Sequence, residues 1–137
     1  MLGEQLGELK GKVIARRVVD VSDEGPSIEV SVSREGQLKG VEVTDLVTYT
    51  GTRGSDGTIH AHGKGVIMTK DGSEMASFTG QMAGNFTSHS ELTYRGAFVF
   101  KRSQKGKLEF LNNSVTVFEV EENFETSSHQ IKLWKWE

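Results

Sequence analysis

Four side chains that can bind a ligand or transfer a proton fall in phase with apolar residues of the sequence. Residues two apart in a β-strand point to the same face, so each of these side chains shares a face with its apolar neighbours. Charged groups are costly to bury unpaired, so they must pair, bind a ligand or lie at a solvated edge. The sets are Arg17 with Val13, Ala15, Val19 and Val21; Asp45 and Tyr49 with Val41, Val43 and Val47; and Glu119 with Val115 and Val117.

If these valine faces line an interior, Arg17, Asp45 and Glu119 converge in that interior or at its mouth. A guanidinium beside two carboxylates keeps at least one acid ionised, while like-charge repulsion makes the second a proton donor. We therefore name Arg17, Asp45, Tyr49 and Glu119 as candidate ligand-binding residues, and we assign no catalytic residue. A β-bulge would reverse the phase and is the alternative interpretation.

His60 and His62 form a second candidate, because two imidazoles on one face of a strand can share a metal ion. The stretch over residues 54–62 resembles the start of the first cupin metal motif. A glutamate should follow in that motif, but Val66 and Ile67 stand there, and the opposite face of the strand is the more apolar one. We therefore predict that both histidines face outward and hold no native metal, and we expect no cofactor.

Ser88, His89 and Ser90 contain the residue types of a hydrolytic triad, with Glu91 beside them. Adjacent residues of a strand point to opposite faces, so these side chains cannot form the hydrogen bonds of a triad. We predict a polar loop before the strand that begins at Glu91.

The elements that would position these residues are strands, because the apolar pattern has a period of two. The single proline and the sixteen glycines suit a backbone of hydrogen-bonded strands joined by tight turns. The first ten residues fit either a short turn or a loose strand. We predict strands over residues 11–21, 27–34, 40–51, 58–70, 73–82, 91–102, 107–121 and 129–136, with hairpin turns at 23–26, 34–36, 54–57, 70–72 and 104–106.

Consecutive strands joined by hairpin turns are antiparallel neighbours. Eight of them are enough to close a barrel, and closure removes the edge strands that invite aggregation. The sequence therefore predicts an all-β fold, an antiparallel up-and-down meander closed into a roughly eight-stranded barrel. The length of 137 residues fits one domain covering the whole chain, residues 1–137.

Composition limits the partners and the compartment. The net charge is −3 and the basic residues are scattered, so we expect no nucleic-acid partner. The absence of cysteine is compatible with a reducing cytoplasm. The first ten residues carry Glu4 and Glu8 and no apolar run, and no apolar stretch approaches the length of a membrane span. We expect a cytoplasmic protein with no membrane partner.

The C-terminal strand separates two apolar sets. If Ile131 and Leu133 point inward, Trp134 and Trp136 lie outside, where large aromatic side chains favour a subunit contact. We therefore predict a homo-oligomer, most simply a dimer, with Trp134 or Trp136 at or near the contact.

Three glycine-containing segments, at residues 57–65, 78–80 and 95–100, and the closing stretch at residues 133–136 carry a resemblance. In these segments, and in the pattern of most of the chain, the sequence resembles the small eight-stranded barrels related to allene oxide cyclase and the broader calycin-like group. The resemblance implies a closed barrel of an uncharacterised protein family. The active-site residues of the cyclase have no position-by-position match here, so its activity is not carried over.

Three functions are compatible with such a barrel. The leading hypothesis is binding of a small, partly apolar molecule in a barrel cavity, because a closed eight-stranded barrel is just wide enough for one. The second is a cyclase or isomerase that uses the interior arginine, carboxylates or tyrosine as acid, base and anchor. The third is a structural or oligomeric protein with a filled core. Whether the protein is an enzyme stays open at this point.

Overall fold

The chain forms one closed antiparallel β-barrel in a computed structural model that describes residues 2–101, 106–112 and 114–137. The strands follow one another around the barrel in chain order, and β8 pairs with β1 to close it. The fold predicted from the sequence is confirmed. The elements are β1 (Leu2–Ser22), β2 (Gly25–Leu38), β3 (Val41–Arg53), β4 (Ile59–Thr69), β5 (Met75–Phe86), β6 (Glu91–Phe100), a 3₁₀ turn (Glu109–Leu111), β7 (Val115–Asn123) and β8 (Ser128–Trp136).

Glycines opposite aromatic residues shape the inner wall. Gly63 lies between Tyr49 and Gly80 across neighbouring strands, and Gly80 is opposite Phe98. A Cβ atom at Gly80 would lie 2.5 Å from the Phe98 ring, and one at Gly63 would lie 2.7 Å from the Tyr49 Cβ. These glycines therefore leave room for large rings inside a narrow barrel, and side chains fill most of the interior.

One end of the barrel is closed by the segment that holds the 3₁₀ turn. Leu108 and Leu111 are fully buried in the hydrophobic core. The Leu108 backbone N–H donates a hydrogen bond to the Glu74 carboxylate beside the β4–β5 turn, and Lys39 of the β2–β3 turn lies over the Phe110 ring. We call this the plugged end. None of the helical structure in the described part of the chain is long and apolar enough to span a membrane.

Two bulges in β1 change the direction of its side chains. The pairing of β1 with β2 shifts register between Val13 and Ala15 and again between Val18 and Asp20. An extra residue in one strand reverses the inside–outside alternation beyond it. Arg16 therefore takes the inward position in β1, and Arg17 lies on the outer surface.

Several predicted boundaries were wrong for identifiable reasons. Residues 34–36, predicted to form a turn, lie within β2. Position 36 requires glycine for another reason, because a Cβ atom there would lie 2.1 Å from the Glu8 carbonyl oxygen of β1. The actual hairpin turn is Lys39–Gly40, where both φ angles are positive, as in the two-residue turns that match strand twist.

β7 begins at Val115 rather than at residue 107. Of the two alternatives left open for the start of the chain, a turn or a strand, the strand is the one observed from Leu2 onward, and Leu6 and Leu9 are buried core residues of it. The turn predicted at residues 104–106 and the strand end predicted at residue 102 fall on or beside positions 102–105, which lie outside the described residues.

Candidate functional site

A chain of buried polar side chains crosses the interior of the barrel. We call it the network and define it as Arg34, Asp45, Tyr49, Glu122 and His129. All five are buried, and they come from β2, β3, β7 and β8. Each side chain is in phase with buried apolar residues of its own strand, so the alternation that builds the core also directs these groups inward.

Arg34 and Asp45 form the centre of the network. They are directly opposite each other in the β2–β3 pairing. Arg34 Nε donates to Asp45 Oδ1 at 2.9 Å and Arg34 Nη2 donates to Oδ2 at 2.5 Å, and each side chain is only 2% exposed. This two-point geometry is the strongest form of the arginine–carboxylate pair, and it offsets the cost of removing both charges from water.

His129 connects this ion pair to the second carboxylate. Arg34 Nη1 lies 3.2 Å from His129 Nε2, and His129 Nδ1 lies 3.0 Å from Glu122 Oε1. A guanidinium group can only donate, so Nε2 must be the acceptor and Nδ1 must carry the hydrogen. Burial lowers the pKa of His129, and the nearby Arg34 charge acts in the same direction although Glu122 opposes it. His129 is therefore neutral, with its tautomer fixed.

Glu122 is the acceptor on which three groups converge. The Tyr49 hydroxyl donates to Oε1 at 2.9 Å, and Arg16 Nη2 lies 3.7 Å from Oε2. Burial acts to raise the pKa of Glu122, but hydrogen bonds from His129 and Tyr49 and the charge of Arg16 lower it overall. The pKa of Tyr49 is raised by burial and by the Glu122 charge. Glu122 is therefore ionised, and Tyr49 keeps its proton.

Two aromatic rings lie across the mouth of the barrel near the network. Phe86 and Phe124 meet edge to face with ring centroids 6.2 Å apart. The Arg16 guanidinium lies 4.4 Å from the Phe124 ring centre, and that of Arg53 lies 5.1 Å from the Phe86 ring centre. Each of these cation–π contacts contributes only a modest stabilising free energy, so the two rings can move away from the mouth at low cost.

A small cavity of about 20 Å³ lies beside the network. Arg34, Tyr49 and His129 form its polar edge. A volume of this size holds about one water molecule. The apolar side chains that line the rest of it are Val47, Met82, Phe98, Phe118 and Val120.

The structure confirms the inward direction of two of the four candidate residues and contradicts the other two. Asp45 and Tyr49 lie inside, as their phase predicts. Arg17 is on the outer surface, 69% exposed, and pairs with Glu29, because the bulge after Val13 reverses the alternation. The prediction that Arg17 points inward is therefore wrong.

Glu119 was also assigned to the wrong face. It pairs with Arg95 on the outer wall. The β7 phase that points inward is the one that buries Phe118 and Val120, not the one that contains Val115. The larger side chains decide the direction, since they remove more apolar surface from water.

Four functional side chains were missed although three of them carried the same signal. Arg34 follows Val30 and Val32 in phase, and His129 precedes Ile131 in phase. Glu122 is likewise in phase with two buried residues of β7. Arg16 gave no such signal, because only the bulge turns it inward.

The histidines outside the network lie on the surface. His60 and His62 point outward from β4, as predicted, and their inward neighbours are buried. His89 Nε2 lies 3.2 Å from Glu125 Oε1 in an exposed pair, and Ser88 caps the loop before Glu91. Among the residues that the structure describes, no three histidine or acidic side chains are grouped as metal ligands would be. That His60 and His62 hold no native metal stays a prediction.

Removing Arg34 should show how much the fold depends on the buried ion pair. We expect Arg34→Met to lower the free energy of unfolding by about 3 to 5 kcal/mol, because it leaves the Asp45 carboxylate buried without a partner. Arg95→Met is the matched control and should cost less than about 1 kcal/mol, since its ion pair with Glu119 is exposed. Urea unfolding of both variants measures the difference. Equal losses in the two variants would contradict the structural role of Arg34.

Acidification should destabilise the protein through His129. The pKa of His129 in the folded state lies below the ordinary value of 6.5. As the pH falls below about 6.5, this histidine therefore becomes protonated in the unfolded chain before it does so in the folded chain. This part of the stability is complete above about pH 6.5 and falls as the pH drops toward the folded pKa. The Glu122 contribution is lost at lower pH, as the carboxylate is protonated below its ordinary value of 4.5.

Urea unfolding at a series of pH values between about 8 and about 5 measures this effect. His129→Gln should flatten the dependence, whereas His89→Gln, in an exposed position, should keep the slope of the unaltered protein. A slope that His129→Gln leaves unchanged would show that His129 is not held neutral.

Comparison with known proteins places the chain by its fold alone. No family model and no curated protein matches the sequence. Three solved structures align with 98% of the chain. A conserved protein of unknown function from Rhodopseudomonas palustris has a TM-score of 0.80, 11% identity and 97% of its own length covered. A protein with unknown function from Clostridium acetobutylicum has a TM-score of 0.76 and 14% identity, with 98% of its own length covered. A β-barrel-like protein from Acinetobacter baumannii has a TM-score of 0.77 and 13% identity, with 94% of its length covered.

Proposed function

We propose that the barrel binds a small, mostly apolar molecule that carries one hydroxyl or carbonyl group. The observation that supports this proposal is the interior cavity, which is apolar on most sides and bordered by Arg34, Tyr49 and His129. Binding sites for small molecules have this composition, an apolar lining with a few polar groups that fix the orientation.

The polar edge has hydrogen-bonding capacity left for a ligand. A guanidinium carries five N–H groups, and Arg34 uses three of them on Asp45 and His129. The Tyr49 hydroxyl donates to Glu122 and also interacts with the buried Tyr94 hydroxyl, which a ligand would have to displace in order to bond to the Tyr49 oxygen. Both nitrogens of His129 are already engaged. The ligand group that fits is therefore one that accepts from Arg34 and, if it is a hydroxyl, donates to Tyr49.

Met82 supplies the additional space that such a molecule needs. It borders the cavity and is partly exposed although it belongs to the inner face of β5. Its partners on the neighbouring strands are the small residues Ala61 and Gly96. An unbranched, flexible methionine can swing away at low cost, and this movement would join the cavity to the mouth under Phe86 and Phe124.

An isomerase or cyclase is the second candidate, and one observation favours it. Tyr49 keeps its proton and donates a hydrogen bond to the ionised Glu122, which also accepts a hydrogen bond from the neutral His129. A protonated phenol beside a carboxylate and an imidazole is an acid–base set. A ligand would have to displace the Tyr49–Glu122 hydrogen bond before either group could act on it.

The relationship of this chain to known barrel families and its location in the cell are also proposals. We propose that the chain is related to the calycin-like and allene-oxide-cyclase-like barrels, supported by the closed up-and-down order of eight strands. A cytoplasmic location is supported by the absence of cysteine from the sequence. Neither proposal adds a catalytic residue to the site.

Filling the cavity should abolish binding. Phenol is the probe, because it combines one hydroxyl with an apolar ring. At ten times its dissociation constant it should add about 1.4 kcal/mol to the free energy of unfolding of the unaltered protein. Met82→Phe, which occupies the cavity, should lose this stabilisation. Met75→Phe is the control on the same strand and should keep it, because Met75 is exposed on the outer surface.

Thermal unfolding with and without phenol measures this shift, and native mass spectrometry searches the purified protein for molecules bound during expression. Absence of any phenol effect together with absence of copurified molecules would contradict the proposal and favour a structural protein with a filled core. An equal phenol effect in Met82→Phe would place binding outside this cavity.

A further inference from the structure

The second half of β1 is an open edge of an otherwise closed barrel. β1 pairs with β8 only as far as Lys12, which lies opposite Ser128, and the Val13 N–H donates one further bond to the Ser127 carbonyl. On its other side β1 continues to pair with β2 as far as Ser22. Among the described residues, no strand pairs with the β8-side edge of residues 14–22. We call this segment the β1 edge.

The β1 edge carries apolar side chains that nothing covers. Ile14 is 59% exposed, Val18 is 63% exposed and Val21 is 77% exposed. The segment contains no proline and no glycine. Natural proteins shorten, cover or interrupt such edges, because unpaired N–H and C=O groups beside apolar side chains invite pairing with another chain. An uncovered edge of nine residues therefore points to a partner strand.

We propose that the β1 edge pairs antiparallel with the β1 edge of a second copy of this chain. A two-fold contact of this kind brings the same segment of both copies together, so the segment must be complementary to itself in reverse. A register centred between Val18 and Val19 meets this condition. It places Arg17 of each copy opposite Asp20 of the other, which gives two opposite-charge pairs around a centre of valines.

Both charges that this register uses lie at the surface. Arg17 pairs with Glu29 at 3.3 Å, an exposed contact that it can exchange for Asp20 of a second copy. Asp20 accepts a local hydrogen bond from the Val21 N–H. The bulge between Val18 and Asp20 adds twist at the centre, which the second strand must follow. Main-chain hydrogen bonds provide the affinity and the Arg17–Asp20 pairs fix the register.

This contact is separate from the one that the tryptophans suggest. Trp134 and Trp136 lie on the outer face of β8, and Trp136 is exposed, as its phase predicts. Trp136 is opposite Leu2, at the far end of β1 from the β1 edge. The homo-oligomer predicted from the tryptophans stays a prediction, and the β1 edge gives it a different interface.

Charge reversal tests this proposal. Sedimentation velocity over a range of protein concentrations should show a dimer of the unaltered chain. Arg17→Asp and Asp20→Arg should each shift it to the monomer, halving the mass, because each places like charges opposite one another. The double variant should restore the dimer. Arg95→Asp, the same charge change at an exposed site on the outer wall, is the control and should leave the dimer intact.

Amide hydrogen exchange gives a second measurement that needs no substitution. Protection of residues 14–22 should rise with protein concentration, whereas residues on the outer face of β8 should not change. A chain that is a monomer at every concentration would overturn the proposal. So would a dimer that both single reversals leave intact, or one that only Trp136→Ser dissociates. Circular dichroism confirms that each variant keeps its strands.

Discussion

The Arg34–Asp45 ion pair is the interaction on which the interior of the barrel depends. Two charges removed from water are stable only with close geometry and with further hydrogen bonds from buried neighbours. Arg34 therefore fixes the acceptor nitrogen of His129, His129 then donates to Glu122, and Glu122 requires Tyr49 and Arg16 as partners. The result is balanced, with two arginines facing two carboxylates across a neutral imidazole. Loss of Arg34 or Asp45 leaves the other charge buried and unpaired.

The barrel wall makes this arrangement possible and limits what the site can do. Glycines opposite aromatic rings let the strands close tightly, and side chains fill most of the interior around the small cavity that Arg34, Tyr49 and His129 border. Both ring nitrogens of His129 and the Oε1 atom of Glu122 are already engaged there. What the site still provides is the unused N–H capacity of Arg34, the Tyr49 oxygen and a movable Met82. These groups favour recognition of a single polar atom on an apolar molecule.

The alternation of apolar and polar residues along the strands was sufficient to predict the fold and part of the site. It correctly predicted the inward faces of β3 and β8, including Asp45, Tyr49 and Ile131, and the outward direction of His60 and His62. It failed in β1, because a bulge has no clear signal in a single sequence, and in β7, where valines occur on both faces and the large Phe118 lies on the inner one. Arg34 and His129 satisfied the same rule and were overlooked. Arg34 was overlooked because the glycine at position 36 suggested a turn.

The state of His129 tests this account most directly, because it follows only if Arg34 donates to the ring and Glu122 accepts from it. Nitrogen-15 chemical shifts of the His129 ring, assigned by comparison with His129→Gln, report which nitrogen carries the hydrogen. The account predicts a neutral ring with the hydrogen on Nδ1, unchanged from about pH 8 to about pH 6. A ring protonated on both nitrogens at neutral pH, or one with the hydrogen on Nε2, would contradict it.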